Sequence, residues 1–106
     1  MITLEQIESL SSDIARKFDP DKIILFGSYA YGTPTAGSDA DLLVIMPFEG
    51  HPLDKMSEIV YALNPRIAVD LQVRTPTMIE RRIEMGDPFM KEILNNGRVL
   101  YERAHA

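Results

Sequence analysis

The chain has 106 residues, 45% of them hydrophobic, with 16 acidic against 11 basic residues and a net charge of -5. One domain spanning 1–106 with a modest core fits that length, and the acidic balance argues against a polymerase gripping long DNA or any stable nucleic-acid binding. Without cysteine there is no disulfide or thiolate metal site, and no apolar run or leader pattern suggests a membrane, so a cytoplasmic protein is expected.

Thr3-Leu4-Glu5-Gln6 has the form of a capping box, and Leu4, Ile7, Leu10, Ile14 and Phe18 recur at helical spacing, predicting a helix of three to four turns that Asp19-Pro20 stops. Lys22 to Phe26 reads as a buried strand ending at Gly27-Ser28, a pair suited to a tight turn with free backbone N–H groups for a phosphate. Residues 28 to 32 are expected to make a short helical turn facing that anion. A loop containing Gly32, Pro34 and Gly37 leads to Asp39 and Asp41, followed by the apolar strand Leu42-Leu43-Val44-Ile45-Met46. Period two puts both carboxylates on one face, and antiparallel pairing of the two strands brings them to the end that carries Gly27.

Two adjacent carboxylates at the mouth of a buried strand repel each other and lose hydration, so a cation between them is expected. Mg2+ suits such a place, since it takes one or two carboxylates plus phosphate oxygens. The alternative is that Ser-Asp-Ala-Asp is an ordinary solvated turn. A haloacid-dehalogenase phosphatase is disfavoured because there the acidic pair follows its strand, whereas here it precedes one. An EF-hand fails because Leu42 to Met46 occupy the positions of its later ligands, and neither a P-loop nor a dinucleotide fingerprint is present.

Pro47 to Pro52 is read as a loop, and Leu53, Met56, Ile59, Val60 and Leu63 as a helix ended by Asn64-Pro65. In the strand from Ile67 to Val73, Asp70 and Gln72 share one face and Val69, Leu71 and Val73 the other, so Asp70 can face the first two acids; a partly buried Asp held by backbone donors is the alternative. Thr75-Pro76 and Asp87-Pro88 are N-cap and first-turn proline signals for helices over 76–85 and from Pro88 through Leu94 to Asn96-Gly97. Val99-Leu100-Tyr101 adds a last short strand. His51 and His105 are read as solvent-exposed and without a role, Met56, Met78, Met85 and Met90 as core packing, and Arg81-Arg82 as a solvated helix face or a contact for an acidic partner or a phosphate.

Gly27-Ser28, ten intervening residues and Asp39-Ala40-Asp41, with Asp70 on a later strand, resemble the signature of the DNA polymerase β superfamily in its minimal nucleotidyltransferase form. The resemblance runs from the first helix to the C-terminus and implies a single-domain polymerase-β-like fold, an α/β (α+β) arrangement with a mixed sheet packed by helices. It implies that Gly27 and Ser28 hold phosphates, that Asp39 and Asp41 bind metal and nucleotide, and that Asp70 completes the metal site and helps deprotonate the acceptor. Mg2+, as two ions, would be the cofactor and ATP the substrate. The sequence departs from many relatives at Tyr29 and Tyr31, since an Arg often precedes the second Gly. Small members of this family act as antitoxins that transfer AMP to a tyrosine of a helical HEPN ribonuclease toxin, and this is the leading expectation. The alternatives are an antitoxin that masks its partner by binding alone and an adenylyltransferase of a small molecule, whose usual second domain does not fit in 106 residues. Self-association is left open.

Overall fold

Thr3 opens helix α1 (Leu4–Phe18) through a reciprocal bond pair: its Oγ1 accepts the Gln6 N–H at 3.1 Å and Gln6 Oε1 accepts the Thr3 N–H at 2.8 Å. The computed structural model describes residues 1–104, so His105 lies outside the described residues. After α1 come β1 (Lys22–Phe26), the short α2 (Ser28–Tyr31), β2 (Ala40–Ile45), α3 (Pro52–Leu63), β3 (Val69–Arg74), α4 (Pro76–Glu84), α5 (Pro88–Asn96) and β4 (Arg98–Glu102). Both proline-led caps form as the sequence predicts. Thr75 Oγ1 accepts the Met78 N–H, and Asp87 Oδ1 accepts the N–H groups of Phe89 and Met90.

The four strands form one mixed sheet in the order β3-β2-β1-β4. β1 runs antiparallel to β2 and β4, while β2 and β3 are parallel, joined by α3. The C-terminal strand is latched to the end of α1, where the Tyr101 hydroxyl donates to Asp19 Oδ1 at 3.0 Å and Arg103 bridges Asp19 and Asp21. Among the described residues no helix is long and apolar enough to cross a membrane.

Each face of the sheet builds its own core. On one face Ile23, Leu25, Leu42, Val44, Leu71 and Val73 pack with Ile7, Leu10 and Ile14 of α1 and Ile59 of α3. On the other, Ile24, Phe26, Leu43 and Ile45 meet Ile79 of α4 and Met90 and Ile93 of α5. Strands covered on both sides need apolar residues at every position, hence the unbroken runs Ile23 to Phe26 and Leu42 to Ile45, each fully buried side chain contributing about 1.5–3 kcal/mol. β3 is covered on one face only. Leu71 and Val73 are buried there, whereas Asp70 is exposed and Gln72 and Arg74 are only half-buried on the opposite face. The sheet is therefore open at this corner, and Asp70, Gln72 and Arg74 lie there.

Two expectations about side chains are corrected. Met85 is not core: it is 73% exposed, because α4 ends beyond the sheet it packs on. His51 is exposed as expected but has a structural role, since its Nδ1 accepts the Leu53 N–H at 3.0 Å and so caps α3.

Candidate active site

The open corner is assembled by strand register. Phe26 of β1 lies opposite Asp41 of β2, and Asp41 lies beside Asp70 of β3, so the three form one row across the sheet with their side chains on the same face. With Gly27, Tyr31, Gln72, Phe89 and Glu92 they line an open cleft of about 410 Å³. The aromatic wall is fixed by an edge-on contact between Phe26 and Phe89, with ring centroids 5.7 Å apart and planes at 83°.

Gly27 shapes the floor of this cleft. Its backbone, at φ 74° and ψ -158°, lies in a region open essentially to glycine alone, and a Cβ there would sit 2.1 Å from Asp41 Oδ2. The absence of a side chain lets the Asp41 carboxylate lie directly against the turn that starts α2. No side chain caps that turn, so its leading N–H groups remain available beside the carboxylate.

Asp39 precedes β2 and is positioned by a self-tied loop: the Thr35 N–H donates to Ser38 Oγ, the Ser38 N–H to the Thr35 carbonyl, and the Ala40 N–H to the Ala68 carbonyl. It lines an adjoining recess with Ser38 and Arg66 rather than the cleft itself. Burial raises the Asp41 pKa, and the charges of Asp70 and then Asp39 push it further in the same direction. Asp41 thus feels both neighbouring carboxylates, although Asp39 lies outside the cleft. Among the described residues no three acidic or imidazole side chains form a metal cage by themselves. The carboxylates of the paired residues Asp41 and Asp70 are oxygen donors of the kind Mg2+ takes one or two of beside substrate oxygens and water.

The two tyrosines that depart from the usual pattern have different surroundings. Tyr29 is structural: its hydroxyl accepts the Ile2 N–H at 3.1 Å, tying down the N-terminus, and its ring packs on the core. Tyr31 lines the cleft, and its pKa is raised by desolvation and by the nearby Glu92 carboxylate, partly offset by the Gly27 backbone. Phe89 and Glu92 had no distinguishing signal in the sequence. Phe89 reads there as another apolar helix position, yet it is 49% exposed at the cleft while Met90 and Ile93 take the core.

Comparisons with known proteins identify the family and the fold. The nucleotidyltransferase domain family matches residues 7–101. A Methanocaldococcus jannaschii protein named "Putative protein adenylyltransferase" is 32% identical over 81 residues, covering 76% of this chain and 77% of that protein. A crystal structure of a "putative nucleotidyltransferase" from Sulfolobus solfataricus superposes with a TM-score of 0.67 at 21% identity, covering 94% of this chain and 80% of the other. A toxin-antitoxin structure with AMP-PNP superposes with a TM-score of 0.51 at 21% identity, over 91% and 73% of the two chains. At those identities the two structures speak for the shared fold, and the sequence matches speak for descent. Gly27-Ser28 and the row of acids are thus seated in the fold they were expected in, and the chain belongs to the nucleotidyltransferase domain family.

Proposed function

We propose that this protein transfers AMP from ATP to a hydroxyl on a protein, a tyrosine of a HEPN ribonuclease toxin, and so acts as its antitoxin. The observation that carries the transferase reading is the register of Asp41 and Asp70 beside the glycine turn, at a corner of the sheet where β3 keeps its polar face open. Support for a protein acceptor comes from the name of the archaeal relative and from the openness of the β3 face, which leaves room for another protein to complete the site. The toxin-antitoxin neighbour with AMP-PNP makes the same pairing of nucleotide and toxin the natural one to test.

In this reading Gly27 and Ser28 hold the phosphates with the backbone N–H groups of the α2 turn, and Asp39, Asp41 and Asp70 would hold two Mg2+ ions. Bound there, the metal would neutralise the three carboxylates and stabilise charge on the transferring phosphoryl group and the departing pyrophosphate. Asp70 takes the proton from the acceptor hydroxyl. The acceptor oxygen forms its bond to the α-phosphorus, the bond from that phosphorus to the oxygen bridging to the β-phosphate breaks, and pyrophosphate leaves with that electron pair. A tyrosine with a pKa of about 10 needs such a base at neutral pH.

The test uses ATP labelled at either the α- or the γ-phosphate, with Mg2+ and the protein encoded by the neighbouring reading frame as acceptor. Protein-bound label from α-labelled ATP alone is expected. Label from the γ-position alone would mean phosphoryl transfer, and neutralisation of the partner without any label would mean masking by contact; either outcome overturns the proposal.

A further inference from the structure

The chain is acidic overall, yet one side of α4 and the end of β3 is basic and apolar. His51, Leu53, Arg74, Met78 and Arg82 line a recess of about 410 Å³ between the start of α3 and α4. It continues along α4 over Met78, Arg81, Arg82 and Met85, which are spaced i, i+3, i+4 and i+7 and so share one helix face. Among the described residues no acidic side chain lines either part. Two of the apolar members are uncovered, Leu53 at 61% and Met85 at 73% exposed, while Met78 is half-buried between them. Arg82 makes only a long 3.7 Å contact with Asp87, and Arg81 has no ion pair among the described residues.

His51 adds a polar feature. Because its Nδ1 accepts the Leu53 N–H, the neutral ring carries its proton on Nε2, the edge free to donate outward. The surface therefore offers guanidinium and imidazole donors flanked by methionine and leucine, and methionine adapts its shape to varied apolar partners. Such a combination fits carboxylates interleaved with apolar side chains.

We propose that this surface docks an acidic, amphipathic helix of a partner protein. The proposal rests on the reading above in one respect: the docked protein would be the acceptor. Arg74 shares the open face of β3 with Asp70, four residues away, so the surface begins roughly 13 Å from the Asp70 carboxylate at strand spacing. A helix seated there could present a tyrosine from an adjoining segment to the cleft. A polyanion is the less suitable occupant, because the exposed apolar side chains would gain nothing from it and the net charge of -5 opposes it.

The experiment takes a phage-displayed library of helix-forming peptides, selected on the full chain without nucleotide, and a single-stranded RNA oligonucleotide as a second probe. Selected peptides are expected to carry Asp or Glu on one face and Leu or Met on the other. Their affinity should fall about tenfold or more in Arg81→Gln/Arg82→Gln and again in Leu53→Ser/Met85→Ser, with melting and Mg-ATP binding unchanged. No selected peptide, peptides without acidic residues, affinities indifferent to both variants, or RNA bound in an Arg81- and Arg82-dependent way would each overturn the proposal. Peptide capture needs no nucleotide, so a wild-type protein that fails to bind Mg-ATP would sink the transferase reading while leaving this result standing.

Discussion

Replacing Gly27 with alanine probes the two things this residue provides. The backbone conformation at φ 74° and ψ -158° costs any residue with a Cβ about 1–3 kcal/mol. For a domain of this size each kcal/mol lowers the melting temperature by about 4–8 °C, so Gly27→Ala should melt about 4–24 °C below the wild type. The second effect is local: the new methyl would meet Asp41 Oδ2 at 2.1 Å and Cγ at 3.0 Å, so the carboxylate must rotate away from the turn. Scanning calorimetry reads the first effect and titration with Mg-ATP the second, where binding should be lost. The double variant Gly27→Ala/Asp41→Ala separates them, because the Cβ of residue 41 lies at an ordinary 3.4 Å from the new methyl. It should be more stable than the sum of the two single variants allows. A Gly27→Ala protein that melts and binds Mg-ATP like the wild type would refute the reasoning.

Asp41 binds its proton more readily in the folded protein, so its protonated form favours folding below the unfolded value near 3.8 and that contribution is lost as pH rises through the higher folded value. Asp41→Asn should therefore raise the melting temperature of the metal-free protein at neutral pH, an effect that should fade in melts recorded well below pH 3.8. The same variant should bind Mg-ATP at least tenfold more weakly by calorimetry, as a direct consequence of losing a ligand carboxylate. Chelation with EDTA should abolish ATP binding by the wild type, and equal affinity with and without metal would rule out a metal-bridged site. Asp87→Ala removes the acceptor for the Phe89 and Met90 N–H groups and should cost about 1 kcal/mol in denaturant unfolding, since α5 loses its N-cap.

The sequence disclosed elements more fully than surfaces. Capping boxes, proline-led first turns and unbroken apolar strands are local signals, and Thr3, Thr75 and Asp87 perform the capping roles their spacing suggests. The alternation in β3 was equally readable, because a half-covered strand must place Asp70 and Gln72 opposite Leu71 and Val73. Which face those polar residues share with Asp41 depends on the parallel register set by α3, a tertiary property. Likewise, Phe89 and Met90 are consecutive apolar residues, and only the angle of α5 on β1 sends one to the core and the other to the cleft. His51 escaped because imidazole is an uncommon N-cap, and Met85 because helical periodicity continues past the point where the sheet ends.

The most direct measurement of the central claim is the intact mass of the neighbouring-gene protein after incubation with ATP and Mg2+, using wild type and Asp70→Asn side by side. Asp70 is exposed at the end of the Asp41 row, so its amide variant should fold, retain partner binding and much of its Mg-ATP binding, and lose the base for the acceptor hydroxyl. The account predicts a mass increase of one or more AMP units, located on tyrosine, with wild type alone. An unchanged mass with wild type, or an equal increase with both proteins, would contradict it.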